Sequence, residues 1–241
     1  MIAAAEWVKL WTVRATWWCL ASSLALMGST AFLLGNDFAY DLEHPDQQAV
    51  RDTTDTVQSI VEPAAASVAL AQFALIAMAM LVVTSEYSTG SIRATLRAVP
   101  IRGRVLLAKA WVAAAVAFAA GLVLAAAGLF AARLGLRDYA VVDAGDAVAV
   151  ALRMAAYLAL VAVFSVGMGA ALRSAVGTLS AVLVLLVGLS MLIPEPVADY
   201  LPGVAGGTFV ADGDASAALI MMAWTGAVLA AGYAVLRRRD A

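Results

Sequence analysis

Residues 105–132 read VLLAKAWVAAAVAFAAGLVLAAAGLFAA, and Lys109 is the one charged residue in this run. A bilayer core about 30 Å thick is crossed by roughly 20 mostly apolar residues in a helix. The run therefore predicts a membrane-spanning helix, with length left over for a tilt or a projection. The whole chain fits a lipid environment, because 64% of its 241 residues are hydrophobic and 13% are charged. A soluble domain is nearer a quarter charged.

Five other windows have the same character, and together they predict six transmembrane helices. The predicted spans are residues 17–34, 64–84, 105–132, 154–172, 175–193 and 215–236. Helices are expected because open strands would leave backbone groups unpaired in lipid, and the alternating pattern of a barrel is absent. The predicted fold class is an all-α integral membrane protein, with residues 1–241 forming a single transmembrane domain.

The basic residues are distributed unevenly between the connectors. If both termini lie on one side of the membrane, eleven of the fifteen basic residues share that side. They are Lys9, Arg14, Arg93, Arg97, Arg102, Arg104, Lys109, Arg173, Arg237, Arg238 and Arg239. Because cytoplasmic loops are enriched in Lys and Arg, this distribution predicts that both termini are cytoplasmic.

The composition argues against several kinds of chemistry. One cysteine, Cys19, and one histidine, His44, exclude an internal disulfide and most thiolate or imidazole metal sites. No nucleotide-binding G-x-x-x-x-G-K-[ST] sequence occurs, and the spans contain no paired carboxylates. We therefore expect no enzymatic activity, cofactor or nucleotide-binding domain on this chain. The net charge of −2 gives no indication of a nucleic acid partner.

The connector between the second and third spans is unusually basic. Residues 86–104 read EYSTGSIRATLRAVPIRGR. Within them Ser91–Val99 is predicted to form a short helix, because Ser91 is a favourable N-cap and Pro100 ends helical structure before it. Its apolar face would contain Ile92, Leu96 and Val99, and a neighbouring face Arg93 and Arg97.

Two interpretations of this helix follow from the residues alone. It can be a basic loop that sets the topology and rests its apolar face on lipid headgroups. It can also dock into a cytoplasmic partner and transmit that partner's movement to the spans. The residues leave both interpretations open.

Residues 86–110, EYSTGSIRATLRAVPIRGRVLLAKA, resemble the signature of bacterial ABC-2 type transporter permeases. The positions that carry the resemblance are Glu86, Tyr87, Gly90, Ile92, Arg93, Thr95, Leu96, Pro100, Arg102, Arg104, Ala108 and Lys109. The arrangement of six spans, a large loop after the first span and YLPGVAGG before the last span is also similar to that family.

This resemblance implies a function. It implies the membrane subunit of an ATP-driven exporter in the bacterial cytoplasmic membrane, paired with a second permease chain, identical or related. Residues 86–99 would be a coupling helix that contacts a separate cytoplasmic ATPase, present in two copies, which binds the ATP and Mg²⁺. The residues expected to couple to that ATPase are Glu86, Tyr87, Gly90, Ile92, Arg93, Leu96 and Arg97. The scarcity of charge in the spans favours an apolar or amphipathic cargo.

The N-terminal segment is predicted to be an amphipathic helix that lies at the membrane surface and contacts lipid. It runs over Glu6–Arg14, and its interfacial residues are Trp7, Leu10, Trp11 and Arg14. Tryptophan is enriched at membrane interfaces, which supports this placement.

Other expectations concern single residues and the second external segment. Glu86 is expected to pair with Arg93, Arg173, an N-terminal basic residue or the ATPase. Arg153 is expected at the outer interface, where its side chain either snorkels toward the headgroups or pairs with Asp146 or Asp143, rather than in a substrate path. The proline-rich segment 194–214 is predicted to break the helix and form a partly inserted cap.

Two other functions remain open. An ion-gradient-driven transporter would be expected to show ionisable residues in mid-span, and the six windows contain only Lys109, near an inner end. A non-transporting scaffold would use the basic helix only to recruit a cytoplasmic protein. ATP-dependent movement of a substrate separates the scaffold from the exporter.

Overall fold

The computed structural model describes residues 2–44, 57–98, 101–194 and 196–239. Most of these residues are helical, and six helices are long and apolar enough to cross a membrane. This confirms a helical fold of the membrane type. The bounds of the elements follow in chain order.

The first half of the chain contains two long helices, two shorter helices and one short strand before the third long helix. Its elements are α1 (Ile2–Thr12), α2 (Arg14–Glu43), β1 (Gln58–Ser59), α3 (Val61–Thr89), α4 (Ile92–Ala98) and α5 (Arg102–Leu136). The 35 residues of α5 rise about 52 Å, which agrees with the excess length expected from the sequence.

The second half contains the other three candidate spans. Its elements are β2 (Ala140–Val141), α6 (Ala144–Leu172), α7 (Ala175–Leu183), a π-helical turn (Val184–Gly188), α8 (Leu189–Leu192), α9 (Pro202–Asp212) and α10 (Ala215–Arg239). The fifth candidate span is thus composite, made of α7, the π turn and α8, where the sequence predicted one regular helix over residues 175–193.

Local sequence explains several helix ends. The Asp143 and Ser174 side chains accept hydrogen bonds from the backbone N–H groups of Asp146 and Gly177, and so cap α6 and α7. Gly90 and Gly213 end α3 and α9 with positive φ angles of 72° and 74°. Glycine suits these ends because it has no Cβ to oppose a left-handed backbone.

Helix α6 lies at the centre of the bundle and packs against α3, α5 and α10. Small residues occur in its C-terminal half, where α10 approaches closely: a Cβ at Gly167 would be 2.9 Å from the Cα of Leu229 in α10. The largest core cluster joins α6 to the other long helices through residues such as Leu75, Met154 and Phe164, all fully buried. Close approach of backbones at small residues is a common way to pack helices in membranes.

The bundle has two chemically different ends. We call the end formed by residues 2–14, 85–98, 101–109, 169–177 and 233–239 the basic end. The opposite end, which we call the acidic end, is formed by residues 36–44, 57–62, 134–146, 196–201 and 211–215. At this end β1 and β2 form a short parallel pair.

The proline-rich segment ends in α9, whose Pro202, Ala205 and Val210 are buried against the bundle.

Candidate functional site

The short helix α4 stands at the basic end between α3 and α5. The Ser91 carbonyl accepts hydrogen bonds from the backbone N–H groups of Ala94 and Thr95, at 3.0 and 3.1 Å, so the first helical turn begins at Ser91. Ile92 is buried, whereas Ala94 and Arg97 are exposed. The helix therefore rests on the bundle through its first residue and presents other side chains outward.

Part of the predicted coupling segment lies outside what the structure describes. The side chains of Arg93 and Leu96 are not among the described groups, and neither are Val99 and Pro100. Of the predicted apolar face, only Ile92 has a described side chain. The end of the helix before Pro100 stays a prediction.

Tyr87 joins the end of α3 to the end of α6. The guanidinium carbon of Arg173 lies 5.1 Å from the centre of the Tyr87 ring, at cation–π distance. Arg173 also donates through Nη2 to the carbonyl oxygen of Val235 in α10, at 3.3 Å. One arginine thus connects three helices beside α4.

The start of α5 is tied to the end of the last helix. Arg102 Nη1 donates to the carbonyl oxygens of Leu236 and Arg237, at 3.0 and 3.2 Å. These carbonyls belong to the last turns of α10, where carbonyl groups lack intrahelical partners and attract cations. The connector that carries α4 is therefore fixed to the bundle on its α5 side.

A cluster of four charged residues lies at the basic end, near the junction of α3 and α4, and three of them, Glu6, Glu86 and Lys109, are buried. Lys109 is 1% exposed. Its Nζ lies 2.6 Å from Glu6 Oε2, 2.8 Å from Glu86 Oε1 and 3.2 Å from the carbonyl oxygen of Val82. Three donor contacts to two carboxylates and a carbonyl satisfy the ammonium group, which is the condition for keeping a charge in a low-dielectric setting.

Lys9, on α1 like Glu6, completes this cluster. It donates to Glu86 Oε1 and lies 3.4 Å from Glu6 Oε1. Two lysines then balance two glutamates. Burial lowers the pKa of Lys9, but the carboxylates of Glu86 and Glu6 outweigh burial and raise it above its ordinary value. The second oxygen of Glu86 is buried without a hydrogen-bond partner in the described segments.

The cluster joins three elements that are far apart in the chain. Glu6 belongs to α1, Glu86 to α3 and Lys109 to α5. Of the partners expected for Glu86, the structure brings an N-terminal basic residue, Lys9, to it. Sequence reasoning missed Lys109 and Glu6 as partners. The available signal was that Lys109 is the single charge in a predicted span, where ionisable residues usually have partners.

The N-terminal helix has mixed surroundings. Leu10 is buried in the core, Trp11 is half-buried and Trp7 is exposed. The Trp11 ring lies 5.8 Å from the ring of Trp7 and 5.0 Å from that of Trp17, measured between centroids. Arg14, placed in this helix by sequence, begins α2 instead, because the chain is extended at Val13.

A cavity of about 750 Å³ opens at the acidic end between α3, α6, the π turn and α9. Two buried polar side chains line it: the Tyr157 hydroxyl donates to Gln72 Oε1 at 2.6 Å. Arg153 also lines it, and donates through Nη1 to the carbonyl oxygen of Ala211 at 2.9 Å instead of pairing with the nearby acids expected from the sequence. Sequence reasoning did not identify this cavity, since its walls come from four distant segments.

No group of three or more potential metal ligands occurs in the described segments. Neither a protein-family model nor a curated protein matches the chain. The resemblance to ABC-2 permeases therefore rests on the quoted sequence features, and the function that it implies is a proposal.

Proposed function

We propose that this chain is the membrane subunit of an ATP-driven exporter of the ABC-2 type. In this proposal a separate cytoplasmic ATPase, in two copies, supplies the energy, and a second permease chain completes the transport path. The chain lies in the bacterial cytoplasmic membrane with its basic end in the cytoplasm. Its cargo is apolar or amphipathic.

The observation that carries the proposal is the position of α4. It is a separate helix at the basic end, inserted between two helices long enough to span a membrane. Its Ala94 and Arg97 side chains are exposed, so they are accessible to a partner. A basic loop that served topology alone would not need a helix set between a left-handed glycine and a new spanning helix.

The contacts beneath α4 support a role in transmitting movement. The Glu6–Lys109 and Lys109–Glu86 ion pairs join α1, α3 and α5 next to the connector. Arg102 and Arg173 join the same region to α10. A force applied to α4 would therefore move several helices together, because packed and ion-paired elements shift as units rather than deform continuously.

In the proposed cycle, ATP binding brings the two ATPase subunits together and displaces the two coupling helices. Each α4 then acts as a lever on α3 and α5, and the permease changes between inward-facing and outward-facing or occluded states. The N-terminal helix, with Trp7 and Trp11, rests at the lipid surface and moves with the same unit through Glu6.

One observation favours a second candidate, a carrier driven by an ion gradient. Lys109, Glu6 and Glu86 form a buried titratable group, and such groups serve as proton relays in some transporters. The group lies at the basic end rather than near the bilayer midplane, where secondary transporters place their coupling sites. We therefore rank this candidate second.

The test is recovery of an ATPase with the chain from its native membrane in mild detergent. We expect mass spectrometry to identify a soluble protein with a Walker A sequence, and the charge-introducing change Arg93→Glu with Leu96→Asp to abolish its recovery. Arg133→Glu, which alters an exposed arginine at the opposite end, is the matched control and should leave recovery unchanged. Recovery of no ATPase in several detergents would contradict the proposal and favour the ion-driven carrier or the scaffold.

A further inference from the structure

We propose that the cavity at the acidic end binds a hydrophobic cation, an apolar molecule that carries one delocalised or shielded positive charge. Its volume of about 750 Å³ lies within the range of roughly 300–1,000 Å³ that small-molecule sites occupy. Identification of this ligand as the cargo rests on the proposed function, whereas binding of the cation to the cavity is independent of that function.

The cavity is a deep cleft rather than a surface dimple. Glu62 and Gln72 both line it, and they are separated by about 15 Å along α3. On α6, Asp146 and Tyr157 are separated by about 16 Å, and this helix also runs away from the acidic end. The acids therefore lie at the mouth, and the buried Gln72–Tyr157 hydrogen bond lies at the inner end.

Between mouth and inner end the walls are mostly aliphatic. Ala65 and Ala69 contribute from α3, Leu186 and Val187 from the π turn, and Val204 from α9. Glycine makes this wall possible, because a Cβ at Gly203 would collide with the carbonyl oxygen of Leu186, so α9 approaches the π turn closely. π-Helical turns inside α-helices occur frequently at functional sites.

The charges at the cavity select for a cation. Three carboxylates line it, from Glu62, Asp146 and Asp212, against one guanidinium, from Arg153. None of the three carboxylates forms an ion pair with another side chain in the described parts of the chain. Arg153 is held against the wall by the Ala211 carbonyl. A cleft with low-dielectric walls and a surplus of one sign focuses its field and concentrates ions of the opposite sign.

The test compares two probes of the same shape and opposite charge. Tetraphenylphosphonium and tetraphenylborate are titrated separately into the purified full chain in nanodiscs of phosphatidylcholine, and binding is measured by calorimetry. After subtraction of the binding measured with empty nanodiscs of the same lipid, we expect saturable binding of the phosphonium and weaker or no binding of the borate. The chain is used without any ATPase, so the two proposals are tested independently. Absence of phosphonium binding would not contradict the coupling role of α4, and failure to recover an ATPase would not contradict phosphonium binding.

Charge variants assign the binding to the cavity. The triple change Glu62→Gln, Asp146→Asn and Asp212→Asn should weaken phosphonium binding about tenfold or more, since it removes the negative field. The matched control Asp37→Asn, Asp41→Asn and Asp199→Asn removes the same charge from exposed sites at the same end that do not line the cavity, and should change nothing.

A filling variant tests shape independently of charge. Gly207 lines the cavity, and a Cβ there meets nothing within 4 Å, so Gly207→Leu should extend a side chain into the cavity and abolish binding. Gly28→Leu is the control, because a Cβ at Gly28 also meets nothing within 4 Å and Gly28 lies outside the cavity. Thermal unfolding of each variant checks that the fold is retained.

Two results would overturn the proposal. Equal phosphonium binding by the wild type and all cavity variants would mean that the probe partitions into lipid only. Preferential binding of the borate, lost in Arg153→Gln, would make this an anion site governed by the guanidinium.

Discussion

Lys109 lies at the meeting point of three helices and is held by carboxylates from two of them. Its Nζ contacts Glu6 and Glu86 at 2.6 and 2.8 Å, and the side chain is almost fully buried. A buried ion pair is not by itself strongly stabilising, because the desolvation of its charges offsets much of their attraction. Removal of one member is costly, however, because it leaves the others uncompensated.

We expect Lys109→Met to lower the free energy of unfolding by about 3–5 kcal/mol, since Glu6 and Glu86 would remain buried with only Lys9 to balance them. Thermal unfolding in mild detergent measures the effect. A stability equal to that of the wild type would show that the cluster is solvated and not a structural connection.

Two variants serve as controls for this effect. Lys109→Met combined with Glu86→Gln restores charge balance, and should recover part of the lost stability. Lys9→Met removes a lysine whose side chain is 48% exposed, and should cost less than Lys109→Met, because water screens part of its interaction with the carboxylates.

The α3–α4 junction depends on the backbone of Gly90. Its φ of 72° is left-handed, and a Cβ there meets nothing within 4 Å. A larger residue at this position is therefore disfavoured by the backbone conformation and not by a steric clash with neighbouring atoms. A left-handed backbone costs other L-residues about 1–2 kcal/mol, and asparagine tolerates it best. The direction in which α4 leaves α3 should therefore be sensitive to the residue type here.

We expect recovery of the partner ATPase to fall in the order wild type, Gly90→Asn, Gly90→Ala, Gly90→Val, while insertion in the membrane is unchanged. Quantitative immunoblotting of the co-purified ATPase measures the series. Equal recovery in all four proteins would show that the direction of α4 does not govern docking.

Helix α9 approaches the backbone of the π turn closely at Gly203. A Cβ at Gly203 would overlap the carbonyl oxygen of Leu186, a backbone atom that cannot rotate away, whereas a Cβ at Gly207 meets nothing within 4 Å. We expect Gly203→Ala to destabilise the protein by about 3 kcal/mol through overpacking and Gly207→Ala to be nearly neutral. Thermal unfolding of the two variants, compared side by side, checks this, and equal melting temperatures would contradict it.

The sequence predicted the long helices well because span length is a local property of apolar runs. Five of the six predicted windows, such as residues 64–84, lie wholly inside one α-helix. The π turn at Val184–Gly188 was not predictable, since residues 183–189 are apolar throughout and carry no local mark of altered hydrogen bonding. The short helix α4 was predicted over Ser91–Val99 with Ser91 as its N-cap, and its described part, Ile92–Ala98, begins directly after Ser91, whereas Val99 lies outside the described residues.

The candidate sites were less predictable than the helices. Glu6 and Lys109 are 103 positions apart, and no periodicity relates residues at such a distance. The acidic-end cavity needs the packing of α3, α6 and α9 around the π turn before it exists. Composition and spacing identified the connector at 86–104, but the contacts beneath it follow only from tertiary packing.

At the scale of the whole molecule, the topology is a prediction that can be tested directly. In a Cys19→Ser background, a single cysteine at Asp41→Cys or at Arg97→Cys probes exposed positions at the acidic and basic ends. If the basic end is cytoplasmic, a membrane-impermeant maleimide added to intact cells should label the first variant and not the second. Labelling of both after permeabilisation is the control, and the reverse pattern in intact cells would invert the topology.

The most direct measurement of the central claim is photocrosslinking from α4 in the native membrane. Ala94→p-benzoylphenylalanine places the crosslinker on an exposed position of α4, and Leu134→p-benzoylphenylalanine places it on an exposed position near the acidic end. We expect irradiation of the first variant to attach a protein with a Walker A sequence, and the second to attach none. Repeated failure of position 94 to capture an ATPase, or capture from both positions alike, would contradict the account of α4 as the coupling helix.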